Sequence, residues 1–155
     1  MTLLLPEQSE DAKESISKRG SDQVGQEKNF ENKVKGYLKK QGAYFIKYWG
    51  GSGASGKTFT KSGVPDLLVC LNGQFMGIEI KASSGKPSEL QIYNLGKIHN
   101  ANGLAVLLFP DDFEQFTELV ECVQKYGHGA RGMECYTVMM EKWKHFEIKF
   151  KERKE

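Results

Sequence analysis

The stretch Gly63-Val64-Pro65-Asp66-Leu67-Leu68-Val69-Cys70-Leu71-Asn72-Gly73-Gln74-Phe75-Met76-Gly77-Ile78-Glu79-Ile80-Lys81 decides the fold. Asn-Gly between two apolar runs is the strongest short-range hairpin signal, because both central positions of a type I′ turn need positive φ. Residues 66–71 and 74–80 therefore read as antiparallel partners. A two-residue turn sets Leu71 opposite Gln74, so Asp66 falls opposite Glu79, with Cβ atoms roughly 4.5–5.5 Å apart. Two carboxylates at that separation repel unless positive charge lies between them. Lys81, two residues past Glu79, points to the same side of the sheet. Asp66, Glu79 and Lys81 thus converge on one spot, an arrangement suited to a divalent metal and an activated water.

Working outward, residues 27–41 carry an apolar stripe of Phe30, Val34, Tyr37 and Leu38 at helical spacing, and Gly42 ends that helix. Residues 43–49 form an aromatic-rich strand, and 50–62 a flexible Gly/Ser loop. Beyond the hairpin, a helix is expected over about residues 88–102, stopped by Gly103. The run Leu104-Ala105-Val106-Leu107-Leu108-Phe109 is apolar throughout, as for a strand buried on both faces. Asp111 is expected to cap a helix reaching about Lys125, with Phe113, Phe116, Val120 and Val123 inward. Residues 126–133 read as a Gly-rich loop, and 136–150 carry no firm assignment. Residues 1–25 are polar and aperiodic and read as a disordered or loosely attached tail. The strand–helix–strand step into residues 104–109 requires a right-handed crossover and a parallel pair. The fold class is α/β, a mixed four-stranded sheet flanked by helices.

Composition fits this reading. A chain of 155 residues with 39% apolar and 27% charged residues suits one soluble domain. No apolar run approaches the ~18 residues needed to span a bilayer, and the opening Met-Thr-Leu-Leu-Leu-Pro is too short for a signal-peptide core. The expectation is a cytoplasmic protein with no membrane partner. Cys70, Cys122 and Cys135 have no zinc-type spacing and read as buried thiols in a reducing compartment. The net charge of +2 says little, but its distribution is uneven. Residues 1–27 hold six acids and three bases, whereas 28–61 hold eight lysines and one acid, Glu31. That basic block suits either a solvated helix face and loop or the footprint of a phosphate backbone. Its candidate DNA contacts are Lys33, Lys35, Lys39, Lys40, Lys47, Lys57 and Lys61.

Val64-Pro65-Asp66 with Glu79-Ile80-Lys81 resembles the PD-(D/E)xK nuclease signature. Ser88-Glu89-Leu90-Gln91 resembles the helix-opening glutamine of the VRR-NUC and Holliday-junction-resolvase-like branches, and Phe30-Glu31-Asn32-Lys33 resembles their leading glutamate. The resemblance covers about residues 27–110, within a single domain read over 26–155. It implies a restriction-endonuclease-like α-β-β-β-α-β core and a Mg2+- or Mn2+-dependent endodeoxyribonuclease that hydrolyses DNA phosphodiester bonds, with branched DNA a candidate substrate. It implies that Asp66, Glu79 and the main-chain carbonyl of Ile80 hold the metal and that Glu31 completes the site. Lys81 would orient or activate the attacking water, and Gln91 would support the site or the scissile phosphate. A homodimer follows from the resemblance alone. The chemistry is coherent, since hard cations prefer carboxylate, carbonyl and water oxygens and a lysine supplies fixed positive charge where negative charge accumulates.

Each residue also has a plainer role open to it. Asp66 after Pro65 suits a turn that opens a strand. Glu79 and Lys81 suit a structural ion pair, and Lys81 a solvated strand end. Glu31 borders the apolar stripe, with Glu27 one turn earlier as a rival ligand. Ser88-x-x-Gln91 is a capping box, which is compatible with a role at the site. Tyr48 and Trp49 suit base stacking or core packing. His99, His128 and His145 lack metal-ligand spacing and read as surface residues. Two other functions stand beside the nuclease. One is a non-catalytic nucleic-acid-binding module of the same fold. The other is a nucleotide-binding protein, because Gly51-Ser52-Gly53-Ala54-Ser55-Gly56-Lys57-Thr58 satisfies the phosphate-loop pattern. Against the second, the residues after Lys57 include two threonines, a glycine and a proline, which disfavour the helix such a loop must open.

Overall fold

In a computed structural model of the chain, residues 10–48, 61–127 and 141–146 are described. The Asn72-Gly73 turn forms with φ of 48° and 77° at its two central residues. Around it β2 (Leu67–Leu71) and β3 (Gln74–Ile80) pair antiparallel, Leu71 with Gln74 and Leu67 with Ile78, in the register the turn dictates. β1 (Tyr44–Lys47) adds antiparallel to β2. β4 (Leu104–Leu108) adds parallel to β3 through the crossover helix α2 (Glu89–Asn100). The result is a mixed four-stranded sheet, order β1-β2-β3-β4, flanked by helices.

Strand alternation divides the sheet into two faces. Leu67, Val69, Met76, Ile78, Val106 and Leu108 pack against Phe30, Val34 and Leu38 of α1 (Glu10–Lys40) and Phe116, Leu119 and Val120 of α3 (Phe113–Tyr126). A helical segment at residues 141–146 adds Trp143 and Phe146 to this core. The Trp143 indole N–H donates to the Ala105 carbonyl of β4 at 3.0 Å, satisfying a buried donor. On the other face, Ile92 and Leu95 of α2 pack on Ala105, Leu107 and Phe109, and Ile98 lies against Gly77. α2 thus covers β4 and part of β3 on that face. On the same face Tyr44 and Ile46 of β1 and Phe75 at the start of β3 are 68%, 51% and 43% exposed.

Several expectations need correction. α1 begins at Glu10, so residues 10–25 are helix and not a disordered tail. A side-chain hydrogen bond from Gln23 to Ser84 ties this extension to the loop after β3. The residues before Glu10 lie outside the described chain. Asp111 does not cap α3. A 3-10 turn (Pro110–Asp112) intervenes, and Asp112 takes the N-cap position without a side-chain cap bond. Asp112 is buried and meets His145 at 3.4 Å, and His99 stacks on Trp143 at 4.8 Å between ring centroids. These two histidines are therefore half-buried partners of the core's rim. Cys122 is buried as expected, but Cys70 is exposed because it faces the uncovered half-sheet. Among the described residues no helix is long and apolar enough to cross a membrane.

Gly63 opens the turn that delivers Asp66. Its φ is +75°, and a Cβ there would sit 2.6 Å from Leu90 Cγ and 2.9 Å from the Leu90 carbonyl on α2. Gly63→Ala combines left-handed backbone strain with overpacking and is expected to lower stability by about 2–4 kcal/mol in urea unfolding. Gly36, exposed in α1 with nothing within 4 Å, is the contrasting case. Gly36→Ala is expected to raise stability by about 0.5–1 kcal/mol. Equal effects of the two substitutions would refute the close approach of α2 to Gly63.

Candidate active site

The site forms at the end of β3, where three elements meet. One residue beyond the Leu67–Ile78 pair, the register brings Asp66 opposite Glu79. Asp66 is held from both sides of its peptide. Its carbonyl accepts from the Tyr48 N–H at 2.8 Å, and its Oδ2 accepts from the Ile80 N–H at 2.8 Å. That second bond places its carboxylate at the residue between Glu79 and Lys81. Glu79 is only 1% exposed, so burying its charge is costly unless paired. Its Oε1 pairs with Lys81 Nζ at 2.7 Å and accepts from Gln91 Nε2. Its Oε2 is buried with no hydrogen-bond partner.

Gln91 both closes the capping box and bonds Glu79. At the third position of α2 its Oε1 accepts from the Ser88 N–H at 2.7 Å, while Ser88 Oγ accepts from the Gln91 N–H at 3.3 Å. With its oxygen committed to the capping box, its amide nitrogen is the end left for Glu79. The start of α2 is thereby tied to the carboxylate pair.

The electrostatics reflect crowding. Burial, then the Asp66 carboxylate, then Glu27 push Glu79 from 4.5 to about 7, against the pull of Lys81. Burial also raises Asp66, helped by Glu27 and Glu31 and opposed by the Ile80 N–H and Lys81. Glu31 behaves differently. Burial pushes it up, but the ammoniums of Lys35 and Lys47 outweigh that and leave it below its ordinary value. Their distances are 2.8 and 2.5 Å. Glu31 is therefore committed to two lysines. Glu27, whose Oε2 accepts from the Ala82 N–H at 3.3 Å, is the α1 carboxylate that acts on both Asp66 and Glu79.

The basic block does not gather into one patch. Lys35 and Lys47 both pair with Glu31, and Lys33 Nζ lies 3.9 Å over the Phe113 ring. Lys39 and Lys40 are exposed in the last turn of α1, about 13 Å along the helix from Glu31. Lys61 is exposed near the site's approach, whereas Lys57, Trp49 and the phosphate-loop-like segment 51–58 lie outside the described residues. Lys97 on α2, which the charge count passed over, shares the Lys61 side of the molecule. Its signal was the outward row Leu90, Tyr93, Lys97 at helical spacing.

Among the described residues no group of three or more His, Cys, Asp or Glu side chains is disposed to hold a metal. The donor set is a pair of carboxylates. Mg2+ keeps several waters and takes one or two carboxylates plus substrate phosphate oxygens, so a pair suffices. The unpartnered Glu79 Oε2 is the hard oxygen such an ion would take, and the residues fit Mg2+ or Mn2+. Comparison of the chain with protein-family models, with curated proteins and with solved structures finds no match.

Glu79 keeps its proton to about pH 7 in the fold, whereas its ordinary value is 4.5. The folded state binds more protons between those values, so stability falls as pH rises. The contribution is complete below about pH 4.5 and gone above about pH 7. Melts in EDTA are expected to drop from pH 5 to pH 8, and Glu79→Gln is expected to flatten that drop and to melt above the parent at pH 8. A variant that follows the parent's slope would assign the titration elsewhere.

Proposed function

We propose that the chain is a metal-dependent nuclease of the PD-(D/E)xK type, with a restriction-endonuclease-like core, acting on DNA. The observation that carries this reading is the buried Glu79 beside Asp66, with one oxygen on Lys81 and Gln91 and the other unpartnered. A purely structural ion pair would gain nothing from a second carboxylate facing it, since such pairs are replaceable by apolar residues at little or no loss. The element order and the parallel β3–β4 step support this reading.

Asp66 and Glu79 would hold Mg2+ or Mn2+, with the Ile80 main-chain carbonyl as a third oxygen. When bound, such an ion polarises the phosphate and lowers the pKa of a water. Lys81 is fixed beside Glu79 and faces the phosphate with a permanent charge, where it orients the nucleophile and offsets charge developing on oxygen. Gln91 keeps the Glu79 carboxylate in one orientation through a helix start that cannot rotate freely. From α1, Glu27 is the better-placed auxiliary carboxylate, because Glu31 is occupied by Lys35 and Lys47.

Supercoiled plasmid and branched DNA are the test substrates, with Mg2+, Mn2+ or EDTA. Cutting is expected with either metal and to be lost in EDTA. Asp66→Asn, Glu79→Gln and Lys81→Ala are expected to lower it at least about 100-fold with the fold intact. Gln91→Ala is expected to lower it about 10-fold, and Glu27→Gln more than Glu31→Gln. Shape-selective binding without cutting in any metal would instead support a non-catalytic DNA-binding module.

A further inference from the structure

α2 covers only half of its face of the sheet, and a groove of about 660 Å3 lies along the boundary. Its walls include Leu68 and Phe75 from the sheet, Asn94 and Ile98 from α2, and Lys61 and Lys97 at its rim. Among the described residues of the lining, the two charged side chains are lysines and none is a carboxylate. Phe75 is 43% exposed although it sits in a strand, and it pairs with Cys70, which pairs in turn with Tyr44. A partly open apolar ring thus lines the same groove as two lysines. Lys97 Nζ also lies 4.9 Å over the ring of Tyr93, which is 58% exposed.

The groove lies on the same face of the sheet as the carboxylate pair, and the packing of Gly63 on Leu90 and Asn94 and of Ile98 on Gly77 stands between the two. Phe75, Gly77 and Glu79 are alternate residues of β3 and share one side of the sheet, so Phe75 stands about 13 Å from Glu79 along the strand. Asn94, in the groove wall, is one turn of α2 beyond Gln91. A ligand that fills the groove meets a flat apolar ring and two cations. Protein partners satisfy the apolar half of that description, but two lysines with no acid among the described lining residues favour a phosphate backbone. Stacking needs unpaired bases, which a duplex does not offer.

We propose that this groove binds single-stranded nucleic acid, with Phe75 stacking a base and Lys61 and Lys97 holding phosphates. The binding does not rest on the nuclease reading.

The test is anisotropy of a fluorescein-labelled oligothymidylate of about 12 nucleotides, in EDTA, with a duplex of equal length in parallel and the full chain as protein. The parent is expected to prefer the single strand. Phe75→Leu keeps apolar volume without a π face and is expected to weaken single-strand binding roughly 5- to 20-fold, with duplex binding little changed. Phe75→Trp is expected to restore it. Lys97→Gln is expected to weaken binding several-fold and to lower the salt slope by about 0.7. No binding of oligothymidylate by the parent, or indifference to Phe75→Leu, overturns the proposal. So does a monomer–dimer equilibrium abolished by Phe75→Leu, which would make a second copy the occupant. Plasmid cutting with Mg2+ separates the two readings. A parent that binds but never cuts keeps the binding groove and loses the nuclease. A parent that cuts while its binding ignores Phe75 loses the binding groove alone.

Discussion

Two residues of turn set the position of every functional group in this chain. Once Asn72 and Gly73 take positive φ, Leu71 must face Gln74, and each following pair is fixed out to Asp66 and Glu79. A register slip of one residue would turn Glu79 into the core of Met76, Ile78 and Ile80 and break the apolar face of β3. The hydrophobic pattern therefore enforces the same register as the turn. The outcome is two facing carboxylates, one of them almost wholly buried. Lys81 and Gln91 both engage one oxygen of Glu79, and the Ile80 N–H engages one oxygen of Asp66, so these donors offset the repulsion at two of the four oxygens. The remainder is the free energy that a proton or a cation can release.

The capping box makes this arrangement rigid. A glutamine amide can flip at small cost when both ends face similar groups. Here the oxygen is held by the Ser88 N–H, which belongs to the first turn of α2. The nitrogen then has one carboxylate to meet. A local device for starting a helix thereby fixes the orientation of a side chain on the neighbouring strand.

The hairpin, the parallel strand and the stripes of α1 and α3 were legible because their signals are local: turn chemistry, spacing, or an unbroken apolar run. What was not legible depends on tertiary placement. The first half of α1 has no apolar stripe, and its described side chains up to Gln26 are exposed, so periodicity could not find it. Glu31 and Glu27 sit on similar sides of one helix. Only the docking of β1, which carries Lys47 to Glu31, tells them apart. Cys70 lies in a strand whose neighbours are apolar, and its exposure reflects the absence of a helix above it among the described residues. His99 and His145 find Trp143 and Asp112 across long sequence separations that no pattern announces.

Among the described residues the half-covered face follows from connectivity. Antiparallel neighbours need no crossover helix. Only the step from β3 to β4 is parallel, and its crossover sets α2 above those two strands. Because α2 starts where β3 ends, Ser88 and Gln91 arrive beside Glu79. Because it runs back along β3, Lys97 and Ile98 arrive above the row of Phe75 and Gly77. One crossover helix therefore builds both the support of the carboxylate pair and a wall of the groove on the same face of the sheet.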